Sequence, residues 1–130
     1  MREPTLILQP PGSYCCGQAC LAMLMGWDLA DVCKVMGKTG RTRTKEIVHF
    51  LDTFGCKCAR GRRPLRQLYS FPYSGLYWLR FEGRHLFHWQ LHWRGKVYDP
   101  QGKIRDESWR AISVITVEWT PWLGDGYPVR

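Results

Sequence analysis

The first half of the chain places apolar residues at a helical period, and the second half places them at a strand period. Ala19, Leu21, Ala22, Met23, Leu24 and Met25 form a nearly all-apolar run of good helix formers, which predicts a helix buried on most of its faces. Cys16 stands at its beginning and Gly26 at its end, where a Gly terminator belongs. Asp28 is placed to cap a second short helix through Val32, Val35 and Met36, stopped by Gly37. Thr44 is placed to cap a third, in which Ile47, Val48, Phe50, Leu51 and Phe54 recur at helical spacing before Gly55. Pro64 to Leu68 is expected to add one helical turn. Then the period shortens. Strands are expected over Gly75–Phe81, Leu86–Trp93 and Lys96–Asp99, and over Ala111–Trp119, which is rich in β-branched residues. Residues 1–13 read as an extended arm, and Thr120 to Arg130, with two Pro and two Gly, as an irregular tail. Helices first and an antiparallel sheet second is an α+β layout.

Length and composition narrow this picture. A chain of 130 residues is enough for one domain with a real core and too short for two, so residues 1–130 are taken as a single domain. Seven Trp and an aromatic content of 14% put much ring surface into a core or along a cleft. The net charge of +8 favours acidic partners. The basic residues concentrate in Lys34 to Lys45 (Lys38, Arg41, Arg43) and in Lys57 to Arg66 (Arg60, Arg62, Arg63). No stretch approaches the ~20 apolar residues of a membrane span, and the N-terminus has neither the apolar run nor the cleavage site of a secretory signal.

Six Cys stand at 15, 16, 20, 33, 56 and 58. Adjacent Cys15 and Cys16, with Cys20 one helical turn on, are poorly placed for mutual bridging. The thiols are therefore read as reduced and the location as cytoplasmic. Cys16 has a second property. A thiol at a helix N-terminus meets the positive end of the helix dipole and free backbone N–H groups, which favour thiolate. Gly17 after it is expected to let a substrate approach closely. A small buried core residue is the competing reading of Cys16.

The strongest local pattern is the hairpin His88-Trp-Gln-Leu-His-Trp, Arg94-Gly95, Lys-Val-Tyr-Asp99-Pro100. A two-residue turn at Arg94-Gly95 sets Trp93 opposite Lys96, Gln90 opposite Asp99 and His88 opposite Gln101. Alternation then puts His88, Gln90, His92, Val97 and Asp99 on one face, and Trp89, Leu91, Trp93 and Tyr98 on the other. His88 and Asp99 become diagonal neighbours, roughly 7–8 Å apart at the backbone, within reach of one another's side chains. A base and the group that orients it need that pairing. His92 is also diagonal to Asp99, so geometry alone does not choose between the two. His85 is off the pattern. Trp89, on the face away from His88, is assigned to the core.

These blocks, Gln9, Tyr14-Cys-Cys16-Gly-Gln-Ala-Cys-Leu-Ala-Met-Leu, His88-Trp-Gln-Leu and Gly95-Lys-Val-Tyr-Asp99-Pro100, resemble the papain-like cysteine peptidases. Within them, the resemblance is to the bacteriocin-leader, double-glycine type and its short stand-alone relatives. It covers Gln9 to about residue 26 and about 86 to 102; residues 38–84 match in general layout only. It implies a papain-like fold, with N-terminal helices packed on a C-terminal antiparallel sheet. It implies Cys16 as nucleophile, His88 as base and Asp99 as the orienting group, and it favours His88 over His92. Gln9, with the Cys16 backbone N–H, would form an oxyanion hole, about 3–4 kcal/mol per donor. The substrate implied is a protein or peptide, acidic or carrying a Gly-Gly-like site, and no cofactor or metal is needed. The chain departs from the family in spacing. The family's Gln lies six residues before its Cys, whereas Gln9 is six before Cys15 and seven before Cys16. Either Cys15 is the nucleophile or the Pro10-Pro11-Gly12 loop carries an extra residue; the Cys-Gly pair and the helix register select Cys16. The chain is also shorter than the classical members, which implies a minimal cleft.

Four rival readings compete. His85, His88 and His92 with Cys56-x-Cys58 could be a zinc site, but common structural sites separate paired Cys by two to four residues. A basic nucleic-acid-binding module would explain the charge and the aromatics, but not Cys-Gly at a helix start or the His/Asp hairpin, and no known binding motif is present. An inactive papain-like domain would only bind peptide. A deamidase or transglutaminase could use the same triad, since an acyl-enzyme can be resolved by water or by an amine.

Overall fold

The computed structural model describes residues 2–59, 62–68, 71–81, 86–102 and 108–127. Three helices come first: α1 (Cys16–Met25), α2 (Leu29–Met36) and α3 (Thr44–Thr53). Seven strands follow among the described residues: β1 (Lys57–Cys58), β2 (Arg63–Pro64), β3 (Gly75–Phe81), β4 (Phe87–Trp93), β5 (Lys96–Tyr98), β6 (Trp109–Thr120) and β7 (Gly124–Asp125). A short 3₁₀ turn, Leu65–Gln67, stands between β2 and β3. The protein is thus α+β, with an antiparallel sheet in the order β1-β6-β3-β4-β5 and with β2 and β7 also on β6.

The apolar run becomes the centre of the fold. Every residue of α1 from Gly17 to Met25 is buried. Leu21, Met23 and Leu24 pack with Leu76, Trp89, Leu91, Trp93, Ile115 and Val117 from one face of the sheet, and with Val32, Ile47, Phe50 and Leu51 from the other two helices. Each fully buried side chain of that kind contributes about 1.5–3 kcal/mol of transfer free energy. Gly26 ends α1 in the left-handed conformation (φ 66°), its N–H returned to the Ala22 carbonyl. Asp28 stands at the start of α2 with extended backbone but makes no side-chain cap. The start of α3 differs from the expected Thr44 cap. Arg43 is the capping residue, and its N–H donates to Glu46 Oε1 at 2.8 Å. A carboxylate in the first helical turn closes that end more strongly than a hydroxyl.

The hairpin has the register expected of it: Trp93 opposite Lys96, His92 opposite Val97 and Leu91 opposite Tyr98. Arg94 (φ 52°) and Gly95 (φ 82°) are both left-handed, as the tight hairpin turn requires. Part of the tail departs from the expected irregular structure: Gly124–Asp125 folds back on Trp119–Thr120 as a final short strand. Cys56 and Cys58 flank Lys57 where β1 joins β6. All six cysteines are free thiols.

One feature of β6 lies beyond periodicity. Trp78 pairs with Ser113 but Leu79 pairs with Ala111, so Ile112 is an extra residue, a bulge in the strand. The bulge reverses the facing of all that precedes it. Leu79 faces both His88 and Ala111, and Phe81 faces Trp109, so Trp109 lies on the His88 face of the sheet. Without the bulge it would lie on the α1 face.

At Gly75 the strands come too close for a side chain: an added Cβ would stand 2.5 Å from the Ile115 carbonyl oxygen and 2.9 Å from Val114 Cγ2. Gly75→Ala is expected to push β3 from β6 and cost about 1–3 kcal/mol, read as a lower urea midpoint with unchanged slope.

Candidate active site

Asp99 is buried (5% exposed) one residue beyond β5, and His88, Gln90 and Gln101 are among the groups that converge on its carboxylate. His88 Nε2 lies 2.9 Å from Oδ1, the Gln101 N–H donates to Oδ1 at 2.8 Å, and Gln90 Nε2 donates to Oδ2 at 3.1 Å. A carboxylate accepts and never donates, so His88 carries a proton on Nε2. Nδ1 is the nitrogen left for proton transfer. His88 is itself only 3% exposed, and the Trp109 ring stands edge-on to its imidazole, 6.0 Å between centroids.

Of the two diagonal histidines, the structure gives Asp99 to His88. His92 instead stacks on Tyr77 at 3.9 Å and reaches Gln90 Oε1 at 2.8 Å. Gln90 spends its amide N–H on Asp99, so its oxygen must accept, and His92 Nε2 is the donor. Burial pushes the His92 pKa down to about 4. Gln90 thus braces Asp99 from behind, a role the sequence reading did not assign; its place on the His88/Asp99 face was the available signal.

Cys16 begins α1 and is half-buried. Its Sγ accepts the Trp89 N–H at 3.5 Å, next in the chain to His88. The thiol and the imidazole line one cavity without a hydrogen bond between them. The helix start does not make the thiol acidic. Burial pushes the Cys16 thiol up, against the opposing pull of the Trp89 and Gly17 backbone N–H groups. The expected donors are present, but desolvation of the charge outweighs them. Gly17 also differs from expectation. It is buried, and an added Cβ would overlap the Thr42 hydroxyl and stand 3.2 Å from Trp89 Cδ1. Its missing side chain admits the protein's own loop and ring rather than a substrate.

The arm that carries Gln9 turns tightly. Ser13 N–H donates to the Pro10 carbonyl at 3.0 Å, with Pro11 and a left-handed Gly12 (φ 74°) between them, a type II turn. The Gln9 N–H donates to the Pro100 carbonyl at 2.8 Å, which ties the arm to the segment beside Asp99. Gln9 Nε2 donates to the Ser13 carbonyl at 2.9 Å, while its buried Oε1 has no partner. Gln9 lines the same cavity as Cys16 and His88. Cys15 is buried (4% exposed) and opens on a separate hollow with Cys33.

The shared cavity, about 360 Å³, is completed by Tyr14, Arg41, Thr42, Trp78, Phe87 and Trp109. Larger hollows of about 850 and 810 Å³ lie elsewhere, but neither contains a His. Trp89 belongs to the core and also forms part of this cavity. His85 lies outside the described residues, as does Arg60. Among the described residues no group of three or more His, Cys, Asp or Glu could hold a metal ion, and no helix is long and apolar enough to cross a membrane. No protein-family model matches the chain, and no curated protein matches it either.

The His92 geometry fixes a pH dependence. Its folded pKa is about 4, below the ordinary 6.5, so its contribution to stability is full above about pH 6.5 and falls as the pH drops towards 4. The loss over that window is expected to be about 1–3 kcal/mol in urea melts, and His92→Leu should flatten that part of the profile.

Proposed function

We propose that the protein is a papain-like cysteine peptidase in which Cys16 is the nucleophile, His88 the base, Asp99 the group that orients the base, and Gln9 an oxyanion donor. One observation carries the reading: a single cavity gathers the helix-start thiol, the Gln9 amide and a histidine whose far nitrogen is bound to a buried carboxylate. The α+β arrangement of N-terminal helices on a C-terminal antiparallel sheet agrees with it.

The steps follow from the donors and acceptors present. Cys16 Sγ attacks the substrate carbonyl carbon while its proton passes to His88 Nδ1. The carbonyl π pair moves to oxygen, where the Cys16 backbone N–H stabilises it together with Gln9 Nε2, which gives up its long 3.4 Å contact with Ser13 Oγ to do so. The C–N bond then breaks, and His88 returns the proton to the leaving amine. Water attacks the thioester, gives its proton to His88 and releases the acid, and the proton returns to Cys16. Since burial raises the thiol, activation rests on His88 and not on the helix alone. A substrate with a glycine-rich cleavage site suits a small cleft walled by rings, since glycine needs no side-chain pocket. A wholly basic binding surface would have no use for Asp99 behind His88, which is why the peptidase reading is preferred.

Two measurements test it. Cleavage of a quenched Gly-Gly peptide is expected to disappear in Cys16→Ala and to persist in Cys15→Ala, with the acyl adduct found by mass spectrometry on Cys16. An adduct on Cys15 would move the nucleophile by one residue, and no adduct on either would remove the reading. Gln9→Ala is expected to lower kcat about 100-fold. Alkylation of Cys16 by iodoacetamide, which forms no oxyanion, should change little in that variant.

A further inference from the structure

The walls of the cavity differ in chemistry. Part of the lining is aromatic: Trp78 and Phe87 stack at 5.0 Å on the face of the sheet that carries Trp89, and Trp109 stands beside His88 on the other face. Tyr14, Arg41 and Thr42 supply a second group of lining residues. Among the described residues that line the cavity there is no carboxylate, and Arg41 is the one permanently charged group among them. Arg41 is exposed, and its guanidinium lies over the Tyr14 ring, 4.6 Å from the centroid. A cation–π contact engages the charge of a guanidinium without consuming its N–H donors, which stay available to another partner. Arg41 forms no ion pair with a described carboxylate.

The loop that presents Arg41 is held in place. Gln18, fully buried in α1, donates from Nε2 to the Gly40 carbonyl at 2.7 Å and to the Lys38 carbonyl at 3.3 Å. Lys38 Nζ pairs with Glu46 at 2.8 Å and donates to the Arg41 carbonyl itself at 3.2 Å. Thr42 sits against Gly17, where the absent Cβ lets the loop rest on the start of α1. Holding the backbone that carries a donor fork lowers part of the entropy cost of binding its ligand. Planar N–H forks match carboxylates bidentately.

We propose that Arg41 is a specificity-determining residue that selects a peptide carrying an acidic side chain, with a neighbouring apolar residue laid on the stacked Trp78 and Phe87 rings. The selection of a scissile substrate rests on the peptidase reading above; the carboxylate site itself does not. The net charge of +8 adds long-range attraction for such a peptide.

The test uses quenched, C-terminally amidated peptides with a Gly-Gly core and one Phe, in which each flanking position is set in turn to Glu, Gln or Lys. At one position Glu is expected to exceed Gln about fivefold in kcat/KM. Arg41→Gln should erase that preference and Arg41→Glu should reverse it in favour of Lys; Arg41 is exposed, so these variants are expected to fold. The free-acid form of the Gln peptide separates a terminal carboxylate from a side-chain one. It should gain nothing, and an Arg41-dependent gain there with none from Glu would overturn the side-chain assignment. The same peptides are titrated against Cys16→Ala by tryptophan fluorescence. If no peptide is cleaved but Glu binding still depends on Arg41, the carboxylate site stands and the peptidase reading falls. An equal Glu preference in wild type and Arg41→Glu, or no Glu preference at any position, overturns the proposal. So does salt-sensitive binding of single-stranded dT12 in the absence of Glu-peptide binding.

Discussion

A carboxylate taken out of water costs several kcal/mol unless donors replace the hydration it loses. Asp99 is such a carboxylate, and the elements around it are arranged to supply those donors. Gln90 and His88 reach it from β4, and the Gln101 N–H reaches it from the turn that follows. The N-terminal arm closes over the same segment through the Gln9 N–H and the Pro100 carbonyl. Satisfying one buried acceptor thus sets the imidazole orientation, fixes its tautomer and brings in the arm that carries Gln9. His92, held neutral by burial, extends the network one residue further, to the stacked Tyr77 ring.

The thiol is placed by a different constraint. The α1 helix is buried from Gly17 to Met25, so its start cannot slide or turn without opening the core. Cys16 is therefore delivered to β4 with a backbone N–H on its sulfur. Burial makes the position definite and the thiol less acidic at once. A nucleophile raised by its surroundings depends on its base for reactivity, and this links the two constraints: the site works as proposed only if the core places the sulfur and the Asp99 network places the ring.

Much of this was legible in the sequence, because it rests on local rules. The apolar run bounded by Cys16 and Gly26 gave α1, and Arg94-Gly95 gave the hairpin register that sets His88 diagonal to Asp99. The choice between His88 and His92 was not legible from spacing, because both are diagonal to Asp99; packing decides it, by giving His92 to Tyr77 and Gln90. Trp109 was missed because it reaches the His88 face only through the bulge at Ile112, and a single extra residue leaves no mark on strand alternation. Gly17 was misread because the contact it admits, Thr42, lies far along the chain. The Cys16 thiol was expected to be acidic from its helix position, but the burial that outweighs that position is a property of the folded core. The Arg43 cap was missed because Glu46, not the residue at the helix start, supplies the closing acceptor.

The central claim is that His88, oriented by Asp99, takes the proton of Cys16. The pH profile of Cys16 alkylation by iodoacetamide, in wild type and in His88→Ala, tests it most directly. The wild-type profile is expected to lie at lower pH than that of the variant by about one unit or more, because the backbone N–H groups on the sulfur do not by themselves outweigh burial and the imidazole must supply the rest. Superimposable profiles would mean that His88 does not act on the thiol, and would contradict the account.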